Sequence, residues 1–262
     1  MAEIERARSK DALKNRHLPD VPLKDRHVSM SNALTRAAHG LTLAEKRLVM
    51  AAVSKLDSKR FATEGQAIIT RITAAEYAEI ADCEMNVAYR ALAAAGRNLY
   101  NRSITFYAPH FKRNGKPAGE TINHMRWIGR AKYHRQEGWI ELSWWHEVLP
   151  HLTGLRRNFT QYQLKQATAL RSVYSWKLLE LLQRFQGTGW AEYPIDDFCL
   201  SMEATEKQKA NFNNIRRRII EPAVKELIDK DGWIIMWEPV KKGRRVAAVR
   251  FRFHRDPQGR LF

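Results

Sequence analysis

Twice along this 262-residue chain, a pair of helical segments separated by a short break runs into a hairpin tipped with lysine and arginine. A packing helix and a short strand stand ahead of each pair. Cations accompany the pattern: 45 basic residues against 28 acidic ones leave a net charge of +17. These observations predict an α+β fold of two tandem winged-helix domains, each a helix-turn-helix followed by a basic β-hairpin.

The charge excess is shared. Residues 1–150 carry 24 basic and 16 acidic side chains, and residues 151–262 carry 21 and 12, so no single basic tail explains it. A polyanion partner is favoured through counterion release. Hydrophobic residues make up 44%, enough to build the cores of one large or two small domains. Cys83 and Cys199 are too few and too far apart for a disulfide framework or a zinc site, which fits a reducing cytosol. No signal peptide or membrane-length apolar run is present, so the expectation is a cytoplasmic protein with no membrane partner.

Residues 1–27 mix charges around Pro19 and Pro22 and read as a flexible arm. The N-terminal domain is expected over residues 28–153. Thr42 and Glu45 form a capping box, and Leu48, Val49, Ala52, Val53 and Leu56 give an apolar face, so 42–57 is a helix. Ala67–Ile72 has the β-branched density of a strand. Thr73 and Glu76 repeat the capping box for a helix over 74–81. A break at Asp82–Glu84 leads into a longer helix, Met85–Tyr100, which offers Asn86, Arg90, Arg97 and Asn98 to DNA. Its middle, ALAAAG, suits close approach to a backbone or packing against the preceding helix. Arg102–Pro109 and Thr121–Arg130 are strands around Asn114-Gly115, with Lys112, Arg113 and Lys116 at the tip of a basic wing. Trp139–Leu142 is a further strand, and Ser143 caps a helix to Pro150. Trp127, Trp139, Trp144 and Trp145 read as packing residues rather than as stacking partners for single-stranded bases.

The C-terminal domain is expected over 154–262. Asn158–Leu164 is strand-like, Leu170–Gln186 an amphipathic helix stopped by Gly187-Thr188-Gly189, Trp190–Tyr193 a strand and Pro194–Ser201 a short helix. Thr205–Lys230 then reads as one long helix, opened by a Thr205/Gln208 capping box. Phe212, Ile215, Ile219, Ala223 and Leu227 form its apolar stripe. Lys207, Asn211, Asn214, Arg217, Arg218 and Lys225 lie opposite, the side-chain types that bond base edges and phosphates. Pro222 removes one backbone bond and bends this helix. Trp233–Glu238 and Val246–His254 pair as strands around a second wing holding Lys241, Lys242, Arg244 and Arg245. In the second strand, Val249, Phe251 and Phe253 alternate with Arg250, Arg252 and His254.

Catalytic signatures are sparse. None of the nine histidines forms the His-x-His pair of a metal-dependent nicking centre, and no phosphate-binding loop of Walker type occurs. Tyr162 and Tyr174 are available tyrosines. Asp196-Asp197 read as acids complementing a helix N-terminus rather than as a nuclease pair. No catalytic residue, metal or cofactor is therefore assigned. A transcriptional regulator with tandem winged helices is one reading of this surface, which composition and periodicity do not decide; a DNA-nicking enzyme is the weaker alternative.

Three runs carry a resemblance: SNALTRAAHGLTLAEKRLVMAAVSKL (31–56), LRSVYSWKLLELLQRF (170–185) and FNNIRRRIIEPAVKEL (212–227). In order and spacing they resemble the signature blocks of the iteron-binding replication initiators, the Rep proteins of theta-replicating bacterial plasmids. That family has two winged-helix domains. The resemblance implies binding of double-stranded DNA at directly repeated origin sites, opening of the adjacent duplex and recruitment of the host initiator and replicative helicase. It implies a homodimer in equilibrium with monomer, the dimer repressing its own promoter at an inverted-repeat operator. The principal reader would be the helix with Asn211, Asn214, Arg217 and Arg218, while the helix with Arg90, Arg97 and Asn98 would hold backbone. Residues 1–27 lack the leucine heptad that some members show.

Overall fold

The computed structural model describes residues 21–62, 67–107, 112–113, 116–117 and 122–256. The chain takes shape before Val28: Leu23–Asp25 is a 3-10 turn with Leu23 buried, and β1 spans His27–Ser31. That corrects the end of the expected arm. Residues 1–20 lie outside the described residues.

The N-terminal unit follows the expected order. Ser31 caps a short helix, α1 (Asn32–Arg36), and Thr42 closes a capping box with Glu45 at the start of α2 (Leu43–Ser54). A strand, β2 (Ile69–Thr73), leads into α3 (Ala74–Ala81), where Thr73 and Glu76 form the second capping box. Each box satisfies amide groups that a helix start leaves unbonded, which is why sequence spacing located these starts closely. Asp82 ends α3 in the left-handed conformation (φ 49°), and the turn feeds α4 (Met85–Asn98). Ala88, Leu92 and Ala95 point into the core, and a Cβ on Gly96 would stand 3.3 Å from Tyr133 Cβ. The small residues of α4 therefore serve packing.

The strands after α4 depart from expectation. β3 (Ser103–Tyr107) pairs with β6 (Ile122–Arg126), and between them the pieces β4 (Lys112–Arg113) and β5 (Lys116–Pro117) pair with each other. Buried Trp127 interrupts the next stretch, and a new strand, β7 (Ile128–His134), pairs with β8 (Trp139–Trp144). The expected strand Thr121–Arg130 is thus two strands in two sheets. No helix follows Ser143: that residue lies in β8, and turns lead to a 3-10 turn at Leu149–His151. The principal sheet is ordered β2-β8-β7.

The C-terminal unit repeats this plan. After β9 (Phe159–Gln163) and α5 (Leu164–Thr168) come α6 (Val173–Gln183), β10 (Trp190–Pro194) and α7 (Ile195–Ser201). Three helical pieces follow, α8 (Glu206–Lys209), α9 (Phe212–Ile215) and α10 (Glu221–Asp231), with a π turn at Arg216–Ile220 before α10. β11 (Trp233–Lys242) and β12 (Arg245–Arg255) close a sheet ordered β10-β12-β11. In both sheets the first strand meets the last, and the last meets the middle one. The repeat is one of topology.

Two features tie the units together. β1 pairs antiparallel with β9, from His27↔Gln163 to Ser31↔Phe159, so a division of the chain after residue 153 separates two hydrogen-bonded strands. Helix α6 is buried on nearly all sides, with Trp176, Lys177, Leu178, Leu179, Glu180, Leu181 and Leu182 all at 0% exposure. It packs against α10 on one side and β9 on the other, and one apolar cluster runs through both units. A helix buried on nearly all sides, its charged Lys177 and Glu180 included, belongs to the centre of a molecule.

Candidate nucleic-acid interface

In the C-terminal unit, the cationic face is built on a broken helix. The single helix expected over Thr205–Lys230 is not continuous. Asn211 takes an extended conformation (φ −149°, ψ 129°), and its side chain accepts from the Asn213 N–H at 2.8 Å, capping α9. Asparagine competes with helical hydrogen bonding through such local bonds, which is why it stops one helical turn and starts the next. The Thr205/Gln208 capping box exists but serves only α8. The Asn214 amide nitrogen donates to the Lys207 carbonyl at 3.2 Å and fastens α8 to α9. Asn211 and Asn214 therefore spend part of their hydrogen-bonding capacity inside the protein.

Pro222 explains the π turn. Proline has no N–H and its ring clashes with the carbonyl four residues earlier, here Arg218. The backbone responds with a wider turn, in which the Glu221 N–H bonds the Arg216 carbonyl five residues back. The extra residue lets both Ile219 and Ile220 reach 0% exposure and pushes Arg216, Arg217 and Arg218 outward together. Arg216 is held by Glu221 at 2.7 Å. Arg217 and Arg218 have no acidic partner among the described residues, nor do Lys225 on α10 or the exposed Lys207. Ile215, Ala223 and Leu227 are buried and Phe212 packs against the core, as the apolar stripe requires.

The second wing is as expected. β11 and β12 are joined through Gly243-Arg244, with only Gly243 at positive φ (64°), the glycine-first form of a two-residue hairpin turn. Lys241, Lys242, Arg244 and Arg245 are exposed there without an acidic partner among the described residues. Arg250, farther down β12, is neutralised by Glu192 at 2.8 Å and Glu238 at 3.2 Å. The free cations thus concentrate at the tip.

In the N-terminal unit, Asn86, Arg90, Arg97 and Asn98 are all exposed on α4. Arg90 and Arg97 line a depression of about 420 Å³ between α4 and the β7–β8 hairpin, with Tyr89, Ala93, Tyr133 and Arg135. Three arginines converge there. The hairpin that closes the three-stranded sheet, and so corresponds to the C-terminal wing, is β7–β8. Sequence spacing put the wing at Lys112, Arg113 and Lys116, which instead belong to the β4–β5 extension of an additional hairpin. The Asn114-Gly115 turn lies outside the described residues. Arg135 was missed because Trp127 hides the start of β7; Gly138, at φ 63° before Trp139, was the available turn signal.

Of the two tyrosines singled out in the sequence, Tyr162 is enclosed and Tyr174 is half-buried. The Tyr162 hydroxyl is buried, donating to Glu180 at 2.9 Å and accepting from Trp176 Nε1 at 2.9 Å. Burial, then the Glu180 charge, push its pKa well above the usual phenol range. Tyr174 bonds Gln208 at 3.2 Å. Asp196 and Asp197 lie in the first turn of α7, and Asp197 pairs with Arg36 at 3.2 Å. Trp127, Trp139 and Trp144 are buried and Trp145 packs against the core. Among the described residues no cluster of His, Cys, Asp or Glu could hold a metal, and no helix is long and apolar enough to cross a membrane.

Two helix-turn-helix units, each with its own wing and its own unneutralised arginines, define a DNA-binding protein of the tandem winged-helix class. Residues 27–183 match the family described as initiator replication protein, WH1, and residues 194–253 its companion, initiator Rep protein, WH2. The chain belongs to this family of replication initiators. It is similar to a replication initiation protein of Escherichia coli, 25% identical over 236 residues that cover 88% of this chain and 70% of that protein. An uncharacterized 27.6 kDa Escherichia coli protein is 27% identical over 216 residues, 78% of this chain and 85% of its own length. Among solved structures, the Pi initiator protein in complex with iteron DNA superposes with a TM-score of 0.72 over 89% of this chain and 99% of that one, at 20% identity.

Proposed function

We propose that this initiator binds double-stranded DNA at directly repeated origin sites, with the C-terminal unit reading the major groove and the N-terminal unit gripping backbone. The observation that carries the reading is the exposed, unpaired Arg217–Arg218 pair beside a free basic wing, in a chain of an initiator family. The solved complex of the similar Pi protein contains iteron DNA, which supports the same ligand here. Arg217 and Arg218 supply bidentate donors for guanine edges or phosphates, and Asn214 retains acceptor capacity for adenine. Lys241, Lys242, Arg244 and Arg245 hold phosphates, as do Arg90, Arg97 and Arg135 around their shared depression. No step needs a nucleophile or a metal, and the protein acts by binding rather than catalysis. Opening of the adjacent duplex, recruitment of the host initiator and helicase, and self-repression by a dimer complete the proposal.

Fluorescence anisotropy at two salt concentrations tests it, comparing direct repeats from DNA flanking the gene with a shuffled duplex. Binding to the repeats should survive the higher salt while the control is lost. Arg217→Ala should cost about 1–3 kcal/mol on the repeats and relax specificity. Equal, salt-labile binding to both duplexes would reduce the protein to a non-specific polyanion binder.

A further inference from the structure

A buried ionic network joins the two units at one place. Lys46 on α2 pairs with Glu180 on α6 at 2.8 Å, both at 0% side-chain exposure. One turn earlier on α6, Lys177 is equally buried; it donates to the Ala37 carbonyl at 2.6 Å and pairs with Glu203 at 3.2 Å. Glu203 comes from the C-terminal unit, just past α7. Its two oxygens also accept from the backbone N–H groups of His39 (2.9 Å) and Gly40 (3.0 Å) in the N-terminal unit. The His39 ring completes the network. Its Nε2 donates to the Leu34 carbonyl at 2.8 Å, which leaves Nδ1 to accept from Lys46 at 3.2 Å. Burial, with Lys177 and Lys46 nearby, keeps that ring neutral. Two lysines then balance two glutamates.

The segment that receives Glu203 is itself a junction. Ala38 bridges to Thr105 on β3, and the His39 carbonyl accepts from Trp127 Nε1 at 3.1 Å. Glu203 thus touches the point where α6, the additional hairpin and the start of α2 meet. A second, independent feature singles it out. Its backbone is left-handed (φ 55°), a conformation after a helix end that glycine adopts freely and a glutamate does not. A strained residue whose side chain pairs with Lys177 and crosses the junction to the His39 and Gly40 N–H groups is a candidate for a selected role.

We infer that Glu203 is a positioning residue that fixes the C-terminal reading unit against the N-terminal one through Lys177 and the His39–Gly40 backbone. The inference rests on the reading in which both units contact one DNA site. Two surfaces on one rigid body bind with a high effective concentration, but only at the spacing that the body imposes. A loosened junction lowers affinity for the correct site and tolerates a wrong spacing better.

The test uses full-length protein and a duplex site selected by the wild type from a random library, with each unit's footprint located by hydroxyl-radical cleavage. A second duplex carries 5 base pairs, about half a helical turn, between the two footprints. Wild-type protein should bind the second duplex at least about tenfold more weakly than the first. Glu203→Gly, which suits the left-handed backbone, should weaken binding to the parent site and bring the ratio of the two affinities to within about threefold. Arg36→Ala, which removes the exposed Arg36–Asp197 pair across the same junction, should keep the wild-type ratio. Lys177→Met attacks the interaction from its other side and should act like Glu203→Gly, with circular dichroism confirming the fold of each variant. A folded Glu203→Gly protein that keeps the wild-type ratio overturns the inference. Wild-type protein that selects a site but is indifferent to the insertion overturns the two-unit reading and the inference with it, whereas failure to select any site overturns the proposed function first.

Discussion

Lys177 shows what one buried side chain imposes on the whole protein. Burial first, and Lys46 beside it, lower its pKa from 10.5 to about 8, against the pull of Glu203 and Glu180. Below pH 8 the folded protein keeps a desolvated ammonium. Between pH 8 and the unfolded value of 10.5, the native state has released a proton that the unfolded chain still binds, so this residue's contribution to stability rises with pH. Comparing wild type with Lys177→Met by denaturant unfolding at about pH 7 and about pH 9.5 should show the difference moving in favour of wild type by about 2 kcal/mol. A pH-independent difference would mean that Lys177 titrates normally. Glu203 responds to the same surroundings in the opposite sense: burial opposes its charge, but Lys177, the His39 and Gly40 N–H groups and Lys46 outweigh that, and its pKa is lowered. Neither residue stood out in the sequence, where Lys177 looked like one polar position on an amphipathic helix and Glu203 like loop. Their partners lie 140 and 164 residues away, beyond the reach of any local pattern.

At the scale of elements, Pro222 and the π turn before it make a separable prediction. Pro222→Ala restores an N–H that can reach the Arg218 carbonyl and so favours regular helix over the π turn. Stability should change by no more than about 1 kcal/mol in thermal unfolding, while affinity for the selected site falls severalfold because Arg217 and Arg218 are rotated relative to the core. Unchanged affinity would show that the π turn does not set the reading geometry. The proline and the arginine run were plain in the sequence but the turn type was not, because i+5 bonding leaves no periodic trace over five residues. Capping boxes were legible since they depend on two residues three apart. The break at Asn211 was missed because the Thr205/Gln208 capping box ahead of it and the apolar stripe that begins at Phe212 read together as one continuous helix. The N-terminal wing was misplaced for a similar reason: Asn-Gly is a stronger local signal than the five residues from His134 to Gly138, while sheet order, a long-range property, decides which hairpin is the wing.

At the scale of the molecule, the free cations divide between two units, and salt should report both. Removing Lys241 and Lys242 together, or Arg90 and Arg97 together, should each lower the slope of log affinity against log salt by about 0.9 for every phosphate left without its cation. The two reductions should add in the quadruple variant. A slope insensitive to the N-terminal pair would assign all phosphate binding to the C-terminal unit. The same two-part construction governs how the chain reaches its native state. β1 finds its hydrogen-bonding partner only at β9, 136 residues later between His27 and Gln163. On the ribosome β1 must therefore wait without a strand partner until β9 has been made. Pairings so distant in sequence close late and slowly. A nascent chain halted near residue 150 would hold an unpaired edge exposed to its neighbours, so synthesis of this initiator is most vulnerable to aggregation midway through translation.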